Sequence, residues 1–233
     1  MHGDVKLPDD VSTVRPSMAG LTCLFLAVFV PLLLNGFYNI IITRMPVVYW
    51  AVELVVWVLL PSLGLYAYRR MGGRFRDLGV VWPRSVGEVC KVLLYGCGWG
   101  LVLFWAFRSG RSWGESVFDK NYLVVAFDYG SLIPDSGWPK TAVWIYLSLS
   151  AGIVEELYFR GFLRRFFARG RLGSVYFMGA STVLFSAIHW ENGVNDLLAT
   201  AAFGFLACIC YLSHRSILVP MIAHVVADLI LFH

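Results

Sequence analysis

The chain has 233 residues, of which 58% are hydrophobic and 15% charged, and its mean hydropathy is +0.68. That balance excludes an ordinary soluble domain and belongs to a polytopic membrane protein. The formal net charge of +4 calls for no nucleic-acid partner, because cytoplasmic loops of membrane proteins are enriched in Lys and Arg.

In chain order, residues 1–18 open MHGDVKLPDDVSTVRPS, with both signs of charge and several turn formers. They read as a short cytoplasmic tail rather than a cleaved signal peptide. Residues 19–233 read as a single transmembrane domain without internal repeat or low-complexity tract. Runs long enough to span a bilayer, about 17 to 25 residues each, fall near 19–43, 46–68, 88–107, 140–163, 174–190, 196–213 and 215–232. The expected fold is therefore all-α, with 7 to 8 transmembrane helices. The eighth candidate is the short apolar piece from Asn121 to Phe127, which suits a half-helix or an interfacial segment. Cys23, Cys90, Cys97, Cys208 and Cys210 all lie in apolar runs, where cysteine behaves as a small buried hydrophobe, so no disulfide framework or CxxC metal site is indicated.

With the N-terminus inside, the cytoplasmic side receives Lys6, Arg15, six cations between Arg69 and Lys91, four between Arg164 and Arg171, and Arg215. The opposite side receives Arg44, Arg108, Arg111, Lys120 and Lys140. About 13 cations against about 5 is a clear bias under the positive-inside rule. It places the N-terminus on the cytoplasmic side, and the absence of an organelle signal and the small size make a prokaryotic cytoplasmic (inner) membrane the expected location.

The ionisable residues left inside the apolar runs carry the functional argument, since a charge at mid-membrane costs several kcal/mol and is by default functional. The stretch AGIVEELYFRGFLRR, residues 151–165, holds Glu155, Glu156 and Arg160. Residues four apart share a helix face, so Glu156 and Arg160 pair while Glu155, about 100° away, stays free and reads as a candidate general base. VLFSAIHWEN ends the next run with His189, one turn beyond Phe185. In a helical hairpin turning at residues 170–174, positions 155 and 189 are equidistant from the turn, about 25 Å from its tip at 1.5 Å per residue. Such a level lies about 15 Å deep and needs a water-filled cavity, which the polar run WENGVND fits. The last run, ILVPMIAHVVADLILF, places His224 and Asp228 at i and i+4 on one face, so Asp228 can orient the His224 ring. Glu53 has no companion in the sequence and reads as a buried carboxylate tied to Arg44 or to backbone. The tryptophans at 50, 57, 99, 105, 138, 144 and 190 read as interfacial belts and packing.

EELYFR fits EExxxR, FSAIH fits FxxxH, and HVVAD fits HxxxN with Asp in the last place. In order and spacing these resemble the CAAX protease and bacteriocin-processing (CPBP, Abi) family of glutamate-type intramembrane endopeptidases, over a motif-bearing core at residues 140–232. The resemblance implies an intramembrane catalytic cavity opening toward the cytoplasmic side and a substrate that is a peptide or a protein with a cleavable tail, met in the lipid bilayer. It implies that Glu155 and His189 activate water, and that His224 and Asp228 occupy the oxyanion-stabilising positions. It makes Glu156, Arg160 and Phe185 structural supports of the site. Asp228 departs from the pattern, because an ionised Asp cannot donate a hydrogen bond as an Asn amide does; an indirect role through His224 is the favoured reading. No cofactor is expected. A zinc-dependent protease using the same residues is the alternative, although no HExxH pair is present. A transporter or scaffold with buried ionisable groups is a second alternative, without the repeat symmetry expected of a transporter.

Overall fold

The computed structural model describes residues 16–42, 45–118, 134, 136–167 and 172–231, and among these it is helical throughout, with turns and short connections. Helix α1 (Met18–Leu33) is capped by Ser17, whose Oγ accepts from Gly20 N at 3.1 Å, and passes at Leu34 into α2 (Asn35–Ile42). Helix α3 (Pro46–Arg70) contains a π-helical turn at Val55–Leu59 and is followed by a 3₁₀ turn at Phe75–Leu78. Then come α4 (Val86–Val117), α5 (Gly137–Phe162), α6 (Gly173–Ala187), α7 (Val194–His214) and α8 (Leu218–Leu231). Five stretches are long and apolar enough to cross a membrane, namely Met18–Tyr38, α3, α4, α5 and α7, while α6 and α8 are shorter apolar helices. They coincide with the seven apolar runs of the sequence. Large side chains such as Leu63, Leu94, Leu101 and Trp105 point outward, each more than half exposed, as expected where the surrounding solvent is hydrocarbon.

Helix α4 organises the packing. Its glycines let two neighbours approach closely: Gly96 and Gly100 face Ile222, Val226 and the Ala223 carbonyl of α8, while Gly110 and Gly114 face Ala199 and Asn195 of α7. Spacing four apart puts each pair on one helix face, so backbones pack where a larger residue would hold them apart. At 32 residues α4 is roughly 48 Å long by the 1.5 Å rise, well beyond a hydrocarbon core of about 30 Å. The third span was expected to stop near 107; it continues to Val117. Arg108 and Arg111 are therefore helical rather than in a loop. No Pro or capping signal halts the helix there, and Arg111 finds partners in Glu115 at 3.3 Å and Asp196 at 3.5 Å.

One end of the bundle gathers the start of α1, the segment after α3, the end of α5 and the α7–α8 corner. Gly20 lies against Met71, the Gly79 carbonyl accepts from Ile217 N at 2.9 Å, Gly161 lies against the Leu78 carbonyl, and Arg164 sits over the Phe177 ring at 5.3 Å. Arg69, Arg70, Arg74, Arg76, Arg84, Lys91, Arg164, Arg165 and Arg215 are at this end. The opposite end holds only Arg108, Arg111 and Lys140 among the described cations. Cys208 and Cys210 are buried as expected, but Cys23, Cys90 and Cys97 face outward, because in a membrane bundle the outside is as apolar as the inside. The 121–127 piece, most of the N-terminal tail and positions 170–171 of the expected hairpin turn lie outside the described residues.

Gly98 and Gly100 separate packing from propensity on one helix. A Cβ at Gly98 meets nothing within 4 Å, whereas one at Gly100 falls 2.6 Å from Val226 Cγ1 and 3.0 Å from the Ala223 carbonyl. Gly98→Ala is expected to be neutral or stabilising by up to about 1 kcal/mol. Gly100→Ala is expected to destabilise by about 1–3 kcal/mol through overpacking. Thermal unfolding of the two variants in detergent checks the contrast.

Candidate active site

The EExxxR stretch sits at a change of helix type. Glu155 is the last α-helical residue of its stretch, and Glu156–Phe162 is π-helical. Single π turns inside α-helices often mark functional sites, because the extra residue per turn re-aims the side chains. Every residue from Val154 to Leu163 is buried, which is the signature of a helix at the centre of a bundle. Two side-chain hydroxyls bind it to its neighbours: Tyr158 Oη donates to the Pro61 carbonyl at 3.2 Å, and Ser181 Oγ donates to the Phe159 carbonyl at 2.9 Å.

Glu156 and Arg160, both fully buried, form the expected pair, with Nη1 donating to Oε1 at 2.9 Å. Arg160 Nη2 donates to the Gly204 carbonyl of α7 at 3.1 Å, and its guanidinium lies over the Phe185 ring of α6 at 4.5 Å. Arg160 is thus held from three helices by a carboxylate, a carbonyl and an aromatic face. The same Glu156 Oε1 is 2.8 Å from His224 Nδ1. A carboxylate oxygen can only accept in its ionised form, so Nδ1 carries the proton and the ring orientation is fixed by Glu156. His224 Nε2 is therefore turned toward Glu155 Oε2 at 3.8 Å and Asp228 Oδ2 at 3.5 Å. Asp228, read from the sequence as the orienting partner, stands beside the outward nitrogen; the hydrogen bond that sets the ring comes from Glu156.

His189 lies just beyond the end of α6, and its Nδ1 is 2.9 Å from the Phe185 carbonyl. A carbonyl only accepts, so Nδ1 carries the hydrogen and, in the neutral ring, Nε2 keeps the lone pair. Phe185 touches both imidazoles, with ring centroids 5.1 Å from His189 and 6.0 Å from His224. Glu155, Phe185, His189, His224 and Asp228 all line one cavity of about 450 Å³, while Glu156 and Arg160 stand behind its wall. Glu155 Oε2 is buried there and accepts no hydrogen bond. Among the described residues no group of three His, Cys, Asp or Glu side chains is set to hold a metal ion.

From this cluster the cavity runs toward the end of the bundle away from the basic loops, past Phe203, Thr200 and Asp196 of α7, Phe107, Arg108 and Arg111 of α4, and Leu231 at the end of α8. Its lining includes Glu191 and Asn192 of the WENGVND run, as expected, and polar residues that sequence reasoning did not assign to the cavity: Glu53 of α3, Asn35 and Tyr38, with Asn35 Nδ2 donating to Glu191 Oε1 at 2.9 Å. A lone carboxylate in an apolar run was the only signal for Glu53. Trp57 also lines the cavity, and Trp190 Nε1 donates to the Leu33 carbonyl at 2.7 Å, so these two tryptophans pack inside the bundle.

Residues 137–230 match the family described as type II CAAX prenyl endopeptidase Rce1-like. That segment contains every motif residue, and what it is similar to is a family of proteases. Neither curated proteins nor solved structures give a match to the chain.

The shared oxygen of Glu156 predicts strong coupling. Removing one partner of a buried ion pair leaves an uncompensated charge, at a cost of about 3–5 kcal/mol. Arg160→Ala and Glu156→Ala are each expected to destabilise by that amount, and the double variant by clearly less than their sum. A double-mutant cycle on detergent unfolding midpoints measures it, and additive losses would count against the coupling.

Proposed function

We propose that the protein is a glutamate-dependent intramembrane endopeptidase that hydrolyses a peptide bond in a peptide or a membrane-associated protein tail. The observation that carries this reading is that Glu155, with an oxygen that accepts no hydrogen bond, shares one cavity with His189, His224 and Asp228. In this mechanism Glu155 takes a proton from a water whose oxygen attacks the peptide carbonyl carbon, and His189 assists through the nitrogen not bound to the Phe185 carbonyl. The carbonyl oxygen becomes an oxyanion, and His224, as an imidazolium whose Nδ1–H is held by Glu156, donates to it from Nε2–H. The proton held by Glu155 passes to the amide nitrogen, the C–N bond breaks, and a carboxylic acid and an amine leave.

The family match over residues 137–230 supports protease activity, and the buried charges support the division of roles. Glu156 cannot readily act as the base, because Arg160 and His224 both occupy its Oε1 and its side chain is not among those lining the cavity. Glu155 does line it. Asp228, at 3.5 Å from His224 Nε2, acts on the electrostatics of that donor rather than by donating itself.

Glu155→Gln and His189→Ala are expected to leave the unfolding midpoint near that of the parent and to lower cleavage by about two to four orders of magnitude, the usual contribution of a positioned acid–base group. New peptide termini in membranes of cells producing the parent or Glu155→Gln protein supply the readout, and unchanged termini would overturn the assignment. Treatment with a zinc chelator is expected to leave the cleavage rate unchanged; its loss, with recovery on adding zinc, would favour the metal-dependent alternative.

A further inference from the structure

Two expectations from the sequence exclude each other in this fold. The distribution of Lys and Arg puts the basic loops in the cytoplasm, while the family resemblance implies a cavity opening on that same side. In the structure the cavity extends to the other end of the bundle. Its walls there are the late residues of α4 and α8 (Arg108, Arg111, Leu231) and the segment between α6 and α7 (Glu191, Asn192). The basic end is closed under the cluster by the fully buried Phe162, Phe177, Leu78 and Ile217. We infer that the catalytic cavity opens on the non-cytoplasmic face of the membrane, so that its substrate is a peptide segment presented from outside, either an exported peptide or the outward-facing tail of a membrane protein.

The orientation rests on the cations in short loops near span ends, which are the ones that set topology. Nine described cations lie at the basic end and three at the cavity end, and Arg111 of those three is already engaged by Glu115 and Asp196. Val117 and Gly137 both lie at the cavity end, so the chain between them starts and finishes on one side, and the alternation of spans is preserved. Toward that end the cavity is lined by Asn35, Glu53, Arg108, Glu191 and Asp196. These groups suit a hydrated peptide backbone, since polar side chains at membrane depth persist where they line water. A prenylated tail inserted in the cytoplasmic leaflet would meet the closed, basic end instead.

The substrate class rests on the peptidase reading, but the direction of access does not, so the two are tested separately. In a chain with Cys23, Cys90 and Cys97 replaced by Ser, Asn192→Cys reports the cavity mouth and Trp82→Cys the basic end. With a membrane-impermeant maleimide, Asn192→Cys is expected to label fully in intact bacterial cells, without further gain on permeabilisation. Trp82→Cys, 71% exposed beside Arg84, is expected to label only after permeabilisation. Alkaline phosphatase fused after His233 of the otherwise unaltered chain checks the same face without any cysteine substitution, because α8 ends in the cavity wall; it is expected to be active. The reverse labelling pattern, or an inactive phosphatase on a membrane-inserted protein, overturns the inference. Either result leaves the peptidase reading standing, since the Glu155→Gln comparison of peptide termini does not depend on it.

Discussion

One carboxylate oxygen holds the site together. Glu156 Oε1 accepts from Arg160 within its own helix and from His224 on α8, and Arg160 in turn reaches the Gly204 carbonyl on α7 and the Phe185 ring on α6. Four helices converge on this group. Buried where an unpaired charge would cost several kcal/mol, the cluster tolerates few other arrangements. Bilayer solvent gives helices little hydrophobic reason to prefer one packing over another, so polar contacts and close glycine packing must supply the specificity. The glycine face of α4 and the Glu156 cluster are the two devices that do so here.

Two neighbouring glutamates thereby acquire different properties. Glu156 is consumed by structure: its Oε1 has two donors, and the side chain is sealed behind the cavity wall. Glu155, one residue earlier and at the point where the helix changes from α to π, faces the cavity with an oxygen that accepts no hydrogen bond. The π-helical turn matters because it lets consecutive residues from 154 to 163 all be buried, with the two carboxylates directed into different surroundings. The same economy appears at the histidines, where one ring nitrogen is fixed by a carboxylate or a backbone carbonyl and the other is left for the cavity.

Much of this was legible in the sequence because it is local. The Glu156–Arg160 pair follows from i,i+4 spacing, and the seven spans follow from run length and hydropathy. The candidate site residues Glu155, His189, His224 and Asp228 stood out as ionisable groups in apolar runs, and they do line one cavity. What the sequence hid was pairwise and long-range. Asn35 and Glu191 are 156 positions apart and hydrogen-bonded, and Glu156 and His224 are 68 apart. Glu53 shows no companion along the chain, yet it shares a cavity with the catalytic candidates. Arg108 and Arg111 looked like loop cations because charge usually ends a span, and the partners of Arg111 on α4 and α7 show how the helix accommodates charge there.

By itself, then, the sequence determined an all-helical membrane protein, its spans, its charge asymmetry and the short list of buried ionisable residues, since each depends on composition or on spacing within one helix. Only the tertiary structure decided which nitrogen of each histidine is held, which glutamate lines the cavity, and at which end of the bundle the cavity lies. These depend on how separate helices are placed against one another, and in a bilayer that placement is set by a few interhelical hydrogen bonds and close glycine contacts that leave no periodic trace in the chain.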